Sequence, residues 1–326
     1  LSKYTIFYNI NTRRGIMGYF FLFILCIVII FCIAGMYSAF NIGHNKKRSN
    51  YDILEYNYPW HEPDYELKIK QWIKTIPLNY IKLKSPYRYK LNVLSIKNND
   101  KPKWIIILHG VTSNHKALMD MAYMYSKMDY NVLLWDSRNH GDSEGKNISY
   151  GYYEKYDLKA VVDWMRNEYG QKIKIGMHGV SMGSGILLSY ATGVRDDCSF
   201  YIADCPYSDF KKQIFNVSKS TIKMPDFIIS IIMIFAQIFV KLFFKFDIRK
   251  INIADKMHRV ENPVLFLNCR DDDYIDPSMT QELYDKCVSE KKSITWFKEG
   301  KHGGAFGKNR EAYIKAVDDF LNAIKF

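Results

Sequence analysis

Apolar residues follow two different rhythms along this chain. From Gly15 to Phe40 the sequence reads GIMGYFFLFILCIVIIFCIAGMYSAF, without one acidic or basic side chain. Beyond about residue 64 the apolar positions break into short runs separated by polar stretches. Runs at 65–70, 78–84, 89–96, 104–108, 132–135, 173–177, 200–203, 264–267 and 294–297 predict strands. The later runs, Trp104-Ile-Ile-Ile-Leu108 and Val264-Leu-Phe-Leu267 among them, are continuously apolar, as expected of strands covered on both faces. Helical spacing recurs between them at 115–128, 154–169, 182–192, 276–288 and 308–325. Strand and helix in alternation predict an α/β domain over residues 64–326, with a mostly parallel sheet and helices on both faces. The segment Pro225 to Phe246, PDFIISIIMIFAQIFVKLFFKF, interrupts that alternation and is too apolar for an ordinary surface helix. Gln237 and Lys241 break its apolar character, so a lid of one or two helices, at about 210–250, is preferred to a second membrane span.

The first long run has the length of a membrane helix, since about 20 helical residues cross a hydrocarbon core of roughly 30 Å. A cleaved signal peptide would carry a shorter apolar core, about 7–15 residues, ending in a small-x-small site. The small residues around Ala34, Gly35, Ser38 and Ala39 form no good site of that kind. The expectation is therefore a tail over 1–14, a single-pass transmembrane or signal-anchor helix over 15–40, and a linker over 41–63. Lys3, Arg13 and Arg14 precede the span and Lys46, Lys47 and Arg48 follow it, so the distribution of basic residues leaves the orientation open.

Composition narrows the picture by exclusion. The formal net charge of +12 comes from scattered lysines, and no nucleic-acid-binding pattern accompanies them, so a solvated basic surface is expected and no nucleic-acid partner. Six cysteines contain no C-x-x-C pair, which argues against a zinc site or a disulfide framework. No phosphate-binding loop, dinucleotide fingerprint or H-E-x-x-H motif occurs, and neither cofactor nor metal is expected.

Gly179-Val180-Ser181-Met182-Gly183 is a G-x-S-x-G motif placed after a predicted strand and before a predicted helix. A nucleophilic serine on such a strand-to-helix turn needs small neighbours, and the following helix N-terminus offers N–H groups to a developing oxyanion. Its hydroxyl needs a base oriented by a carboxylate, both later in the chain, with the acid before the histidine. Only His258 and His302 follow Ser181. His302, in a Gly-rich loop just after the last predicted strand, is favoured over His258, which falls on or beside a helix. The loop after the strand 264–267 offers Asp271, Asp272 and Asp273 as the acid. The oxyanion donors expected are the backbone N–H groups of Val111, in the loop after the strand 104–108, and of Met182. His109 is expected to be structural, because it has no neighbouring ligands in the sequence.

Together, His109-Gly110, Asp136-Ser-Arg138-Asn-His140-Gly141-Asp-Ser143-Glu-Gly145 and Gly179-Val-Ser181-Met-Gly183 resemble the α/β-hydrolases. More narrowly, they are similar to bacterial membrane-anchored serine hydrolases of the esterase or S9-like peptidase type. The similarity runs from about residue 60 to the end and includes Ile202-Ala-Asp-Cys-Pro-Tyr-Ser208. The family's acid usually lies in H-G-x-x-D-x-x-V-P. Here Asn268-Cys269 replaces His-Gly and Ile275 replaces Val, so the resemblance implies Asp272, with Asp273 second and Asp271 third. Asp276, directly before Pro277, blurs this register, and Asn139 stands where the family's D-x-R-G-H-G pattern has its middle Gly. The resemblance implies a hydrolase acting through a Ser181–His302–Asp272 triad on a small-molecule or lipid-like acyl substrate, an ester or thioester. A serine peptidase and a catalytically silent binding module are the alternatives.

Overall fold

The computed structural model describes residues 2–44 and 63–326, with side chains from Tyr19 onward apart from Ile222. Most of the expected linker, residues 45–62, lies outside the described residues. Eight strands form one sheet: β1 (Asn79–Lys84), β2 (Lys90–Ile96), β3 (Lys103–Leu108), β4 (Asn131–Trp135), β5 (Lys174–Val180), β6 (Phe200–Asp204), β7 (Val264–Cys269) and β8 (Lys292–Phe297). Their order is β1-β2-β4-β3-β5-β6-β7-β8. The β1–β2 and β2–β4 pairs are antiparallel and the remaining pairs parallel. β5 sits in the middle, between β3 and β6, with Leu108 opposite Gly179 and Val180 opposite Asp204. That register brings the ends of three parallel strands to one edge, where their loops meet.

The apolar runs form these strands because both sheet faces are covered. One face packs with α4 (Glu154–Tyr169) and α5 (Met182–Gly193), through Trp104, Ile106, Leu108, Leu158, Met165 and Leu187. The other packs with α2 (Pro63–Thr75), α3 (Met119–Lys127) and α10 (Arg310–Ala323), through Ile69, Ile105, Ile107, Met124, Val132 and Val317. Between the last strand and α10 lies the short α9 (Ala305–Lys308), and α8 (Pro277–Lys286) joins β7 to β8.

The strand expected at 65–70 is instead part of α2. Pro63 and the acidic Asp64 and Glu66 favour a helix N-terminus. Ile69, Trp72 and Ile73 then recur at helical spacing and are buried, and Glu66 pairs with Lys70 at 2.6 Å. Within 65–70 alone, the alternation of apolar and charged side chains mimics a strand; the helical period emerges only over a longer window.

Two apolar helices pack against each other at the edge of this core. α1 runs from Ser2 to Gly43, and its stretch Tyr19–Gly43 is long and apolar enough to cross a membrane. Between β6 and β7 come α6 (Phe210–Ile222) and α7 (Asp226–Phe239), the latter continuing in a π-turn to Phe244. α7 packs along α1. Phe31 stacks on Phe235 at 6.3 Å between ring centres, and Phe40 meets Phe243 at 5.6 Å and Phe244 at 5.8 Å. These partners advance together along both chains, so the helices run parallel. Gly35, Ala39 and Gly43 form the small-residue face of α1 that allows this approach. A Cβ on Gly35 would collide with Phe235, and one on Gly43 with the Phe244 ring. The carbonyl of Gly43 also accepts from the Ile148 N–H at 3.1 Å, tying the helix end to the domain.

A polar chain crosses the apolar interior behind β5 and β6. The Tyr125 hydroxyl lies 2.7 Å from His178 Nδ1, His178 Nε2 lies 2.8 Å from the Tyr313 hydroxyl, and that hydroxyl donates to Asp204 Oδ2 at 2.8 Å. The order of donors is self-consistent with a neutral, Nε2-protonated His178. Burial drives His178 and Asp204 toward neutrality: His178 falls to about 3 and Asp204 rises to about 7. The sign for Asp204 follows from linkage. Its folded value lies above its unfolded one, so its protonated form contributes stability below the ordinary carboxylate range, and that stability is lost as pH rises toward about 7. Asp204→Asn keeps the shape and removes the ionisation. The melting temperature of Asp204→Asn relative to wild type is expected to climb between about pH 5 and about pH 8. A pH-independent offset would refute a protonated Asp204.

Candidate active site

Ser181 occupies the turn between β5 and α5 with φ 55° and ψ −113°, a backbone state that a residue with a side chain rarely adopts. The surroundings enforce it. The Ser181 N–H donates to the Asp204 carbonyl at 2.9 Å, and the Ser181 carbonyl accepts from the Gly185 N–H at 3.1 Å. The Ser184 hydroxyl bridges the Gly179 carbonyl at 2.6 Å and the Asp204 carbonyl at 2.7 Å. Both glycines of the motif are sterically required. A Cβ on Gly179 would strike the Gly183 backbone, and one on Gly183 would strike the Leu108 carbonyl of β3. The turn thus lifts the Ser181 side chain off the end of the sheet while the helix packs directly on it.

The structure brings His302 to this hydroxyl. Ser181 Oγ and His302 Nε2 are 2.8 Å apart, although 121 residues separate them in sequence. His302 Nδ1 lies 2.9 Å from Asp272 Oδ2. The Asp272 side chain is fully buried, and its other oxygen accepts from the N–H groups of Tyr274 at 3.0 Å and Ile275 at 2.9 Å. These bonds hold the carboxylate in one orientation, and the Tyr274 ring covers the imidazole at 4.9 Å. Gly300 and Gly303 take φ of 145° and 71° on either side of Lys301 and His302, a path that glycine follows without strain.

The neighbouring carboxylates are engaged elsewhere. Asp271 accepts from the Lys301 N–H at 2.9 Å, and Asp273 pairs with the Lys301 ammonium at 3.0 Å, which holds its carboxyl below the ordinary range. Asp276 caps α8 through the Ser278 N–H at 2.9 Å. His258 is exposed on the 3-10 turn Ala254–Arg259.

Met182 is the first residue of α5, so its N–H has no acceptor within the helix. Gly110 approaches Ser181 so closely that a Cβ there would lie 3.5 Å from the serine Cβ, which sets the loop carrying Val111 beside Ser181. His109 is buried behind that loop. Its Nδ1 lies 2.7 Å from the Gly110 carbonyl and its Nε2 accepts from the Ser137 N–H at 2.9 Å, while burial lowers its basicity. Asn139, where the family pattern has Gly, adopts φ 57°, a left-handed state that Asn tolerates better than most residues. Next to it, the Arg138 guanidinium lies over the rings of Tyr87, Tyr89 and Tyr153 at 4.8–5.0 Å.

Three site neighbours were not singled out in the sequence: Tyr274, Asp204 and Cys205. Cys205 follows β6 with φ 44°, buried near Asp272 and His302, and burial raises its thiol well above the usual range. A ligand atom of each of Cys205, Asp272 and His302 falls within 4.8 Å of the others, as do those of His115, Asp136 and Asp142. In the first group the carboxylate and imidazole are already committed to each other; in the second, Asp136 accepts from His115 and from the Asp142 N–H. No signal in the local sequence announces Tyr274 or Cys205, because their roles come from loops that meet only in the fold.

Comparison with known proteins agrees with this architecture. Residues 100–248 match the family described as serine aminopeptidase, S33. The chain is 34% identical to the YqkD protein of Bacillus subtilis (strain 168), over 85% of this chain and 88% of that one. It is 26% identical to protein bem46 of Schizosaccharomyces pombe, over 67% and 66% of the two chains. Among solved structures it superposes on the Pyrococcus furiosus esterase Pf2001 with a TM-score of 0.66 and 24% identity, covering 86% of this chain and 97% of the esterase. Strand order, the Ser181 turn and these relationships together mean that the chain belongs to the α/β-hydrolase superfamily.

Proposed function

We propose that this hydrolase is a membrane-attached serine esterase that cleaves carboxylic ester or thioester bonds of hydrophobic acyl groups. The observation that carries the proposal is the unbroken line from Ser181 Oγ through His302 to the buried Asp272, at 2.8 and 2.9 Å. In the proposed mechanism Ser181 Oγ attacks the acyl carbon while His302 Nε2 takes its proton. Asp272 holds the Nδ1–H tautomer and stabilises the imidazolium. The N–H groups of Met182 and Val111 receive the oxyanion. His302 then returns the proton to the leaving alcohol or thiol. A water molecule, deprotonated by His302, attacks the acyl-enzyme, and collapse of the second tetrahedral species releases the carboxylic acid and restores Ser181 Oγ–H.

Support for apolar substrates comes from exposed apolar side chains next to the domain, Phe227 and Ile234 of α7 and Leu242 of the turn after it, which suit a membrane-surface enzyme. In this reading α1 is the membrane anchor, supported by its 25-residue apolar stretch, whose side chains are mostly outside the packed interior. The family match to a serine aminopeptidase supports one competing substrate class, peptides, for the same residues.

Four tests bear on this reading. A fluorophosphonate probe labels the wild type but not Ser181→Ala, which loses at least about a thousandfold in kcat on p-nitrophenyl esters. A folded wild type that stays unlabelled would leave a binding module. Asp272→Asn lowers kcat about 10²- to 10⁴-fold, because it imposes the wrong imidazole tautomer, whereas Asp273→Asn stays near wild type. Equal losses in both variants would remove Asp272 from its assigned role. The full chain remains in membranes washed with alkaline carbonate; complete release into the supernatant would exclude an integral anchor. A panel of p-nitrophenyl esters and aminoacyl p-nitroanilides separates the substrate classes: activity falling steadily from acetyl to longer chains contradicts the apolar-acyl preference, and faster anilide cleavage favours the peptidase.

A further inference from the structure

Apart from the site at Ser181, the molecule has a long groove between α6 and α7. It encloses about 720 Å³, within the usual range for a ligand site, and none of the residues assigned to acyl transfer lines it. α6 and α7 are joined by a short turn, and residues from the start of α6 line the same groove as residues from the end of α7. This arrangement polarises the groove. Lys211 and Lys212 from the start of α6 share its lining with Lys241 and Arg249 from the segment that follows α7. Phe215, Met233, Ile234 and Ile238 line the remainder as an apolar shaft.

The cationic end is available to a ligand. The one carboxylate lining it, Asp209, accepts from the backbone N–H groups of Lys211 at 2.7 Å and Lys212 at 3.2 Å. Asp247, largely buried behind the rim, holds the Arg249 guanidinium at 2.7 Å and lies 3.8 Å from the Lys241 ammonium. Lys212 reaches Glu282 at 3.9 Å. The side chains of Lys212, Lys241 and Arg249 nevertheless remain 53%, 61% and 60% exposed. Between the charged end and the shaft sits Gln237. Its Oε1 accepts from the Ile248 N–H at 3.1 Å, which leaves Nε2 as a buried donor with no acceptor among the described residues.

A third feature fixes the depth of the groove. Its α7 wall packs on α1, and the two helices run parallel, with Phe40 of α1 level with Phe243 and Phe244. The cationic end therefore lies level with the carboxyl end of the apolar helix, and the shaft runs back alongside its apolar length. If α1 is in the bilayer, this is the height of the headgroups, where basic side chains meet anionic lipid.

We propose that the α6/α7 groove seats one anionic lipid of the membrane, with its charged headgroup at Lys211, Lys212, Lys241 and Arg249 and an acyl chain along the shaft. Gln237 Nε2 donates to the ester carbonyl between head and chain. The proposal goes beyond the hydrolytic reading and relies only on α1 being the membrane helix.

The test uses the full chain purified in mild detergent and native mass spectrometry after addition of phosphatidylglycerol, phosphatidylcholine or inorganic phosphate. One bound phosphatidylglycerol is expected, preferred over phosphatidylcholine by at least about tenfold. The double variant Lys211→Glu with Lys241→Glu abolishes that preference, and Met233→Asp abolishes lipid retention, each with a melting temperature close to wild type. Equal retention of both lipids, or wild-type preference in the double variant, would overturn the proposal. So would binding of phosphate that displaces phosphatidylglycerol. If Met233→Asp fails to fold, Ile238→Ser takes its place, with the same loss expected. The readout is lipid mass in detergent, so failure of the groove is distinct from failure of the anchor, which appears as release from carbonate-washed membranes.

Discussion

The structure depends above all on a steric constraint at one turn. Ser181 must hold φ 55° while α5 packs on the sheet closely enough that neither flanking glycine has room for a methyl group. The energetic cost of this conformation, of order 1–3 kcal/mol for a strained residue, is offset by hydrogen bonds from β6 and by the burial of α5. Asp204 and Ser184 supply those bonds, and nearly every side chain of α5 lies within the core. Strain is thus carried by the best-packed part of the molecule, and the hydroxyl is presented without freedom to relax.

The loops that complete the site come from neighbouring parallel strands. β3, β5, β6 and β7 end at the same edge, so Gly110, Ser181, Cys205 and Asp272 are brought together although the chain separates them widely. The choice among adjacent carboxylates is made by backbone donors. Asp272 is fixed by the N–H groups of Tyr274 and Ile275 and meets His302; Asp271 and Asp273 turn to Lys301. Below them lies Asp204, a buried acid whose proton is held by the same low polarity that keeps His178 neutral. Within this small region burial raises Asp204, while the Lys301 ammonium holds Asp273 below the ordinary range.

Outside the sheet, α1 and α7 form a second packed unit joined by aromatic rings set against Gly35, Ala39 and Gly43. An apolar helix with a small-residue face is well suited to a close partner of its own kind, since backbone approach replaces the hydrophobic driving force that is lost in lipid. The proposed anchor and the helix flanking the proposed lipid groove are thus one structural element. Both helices are also fastened to the domain, because Gly43 is tied to Ile148 and Val240 is buried in the core.

Much of this was legible in the sequence. Strongly periodic and continuously apolar segments specify their own elements, so the alternation of strand and helix, the G-x-S-x-G turn and the long apolar helix could be read directly. Their physics is local: chain reach, backbone sterics and apolar burial act within a few residues. The failure at 65–70 was local too, a window too short to tell a helix period from a strand period. Asp272 was preferred to its neighbours only through family resemblance, because the donors that orient it come from the turn geometry of the folded loop. The pairing of α1 with α7, the cationic end of the α6/α7 groove and the covering of His302 by Tyr274 were decided by tertiary structure alone. Each joins residues far apart in sequence, and it is the register of the sheet and the packing of helices around it that sets which distant side chains meet.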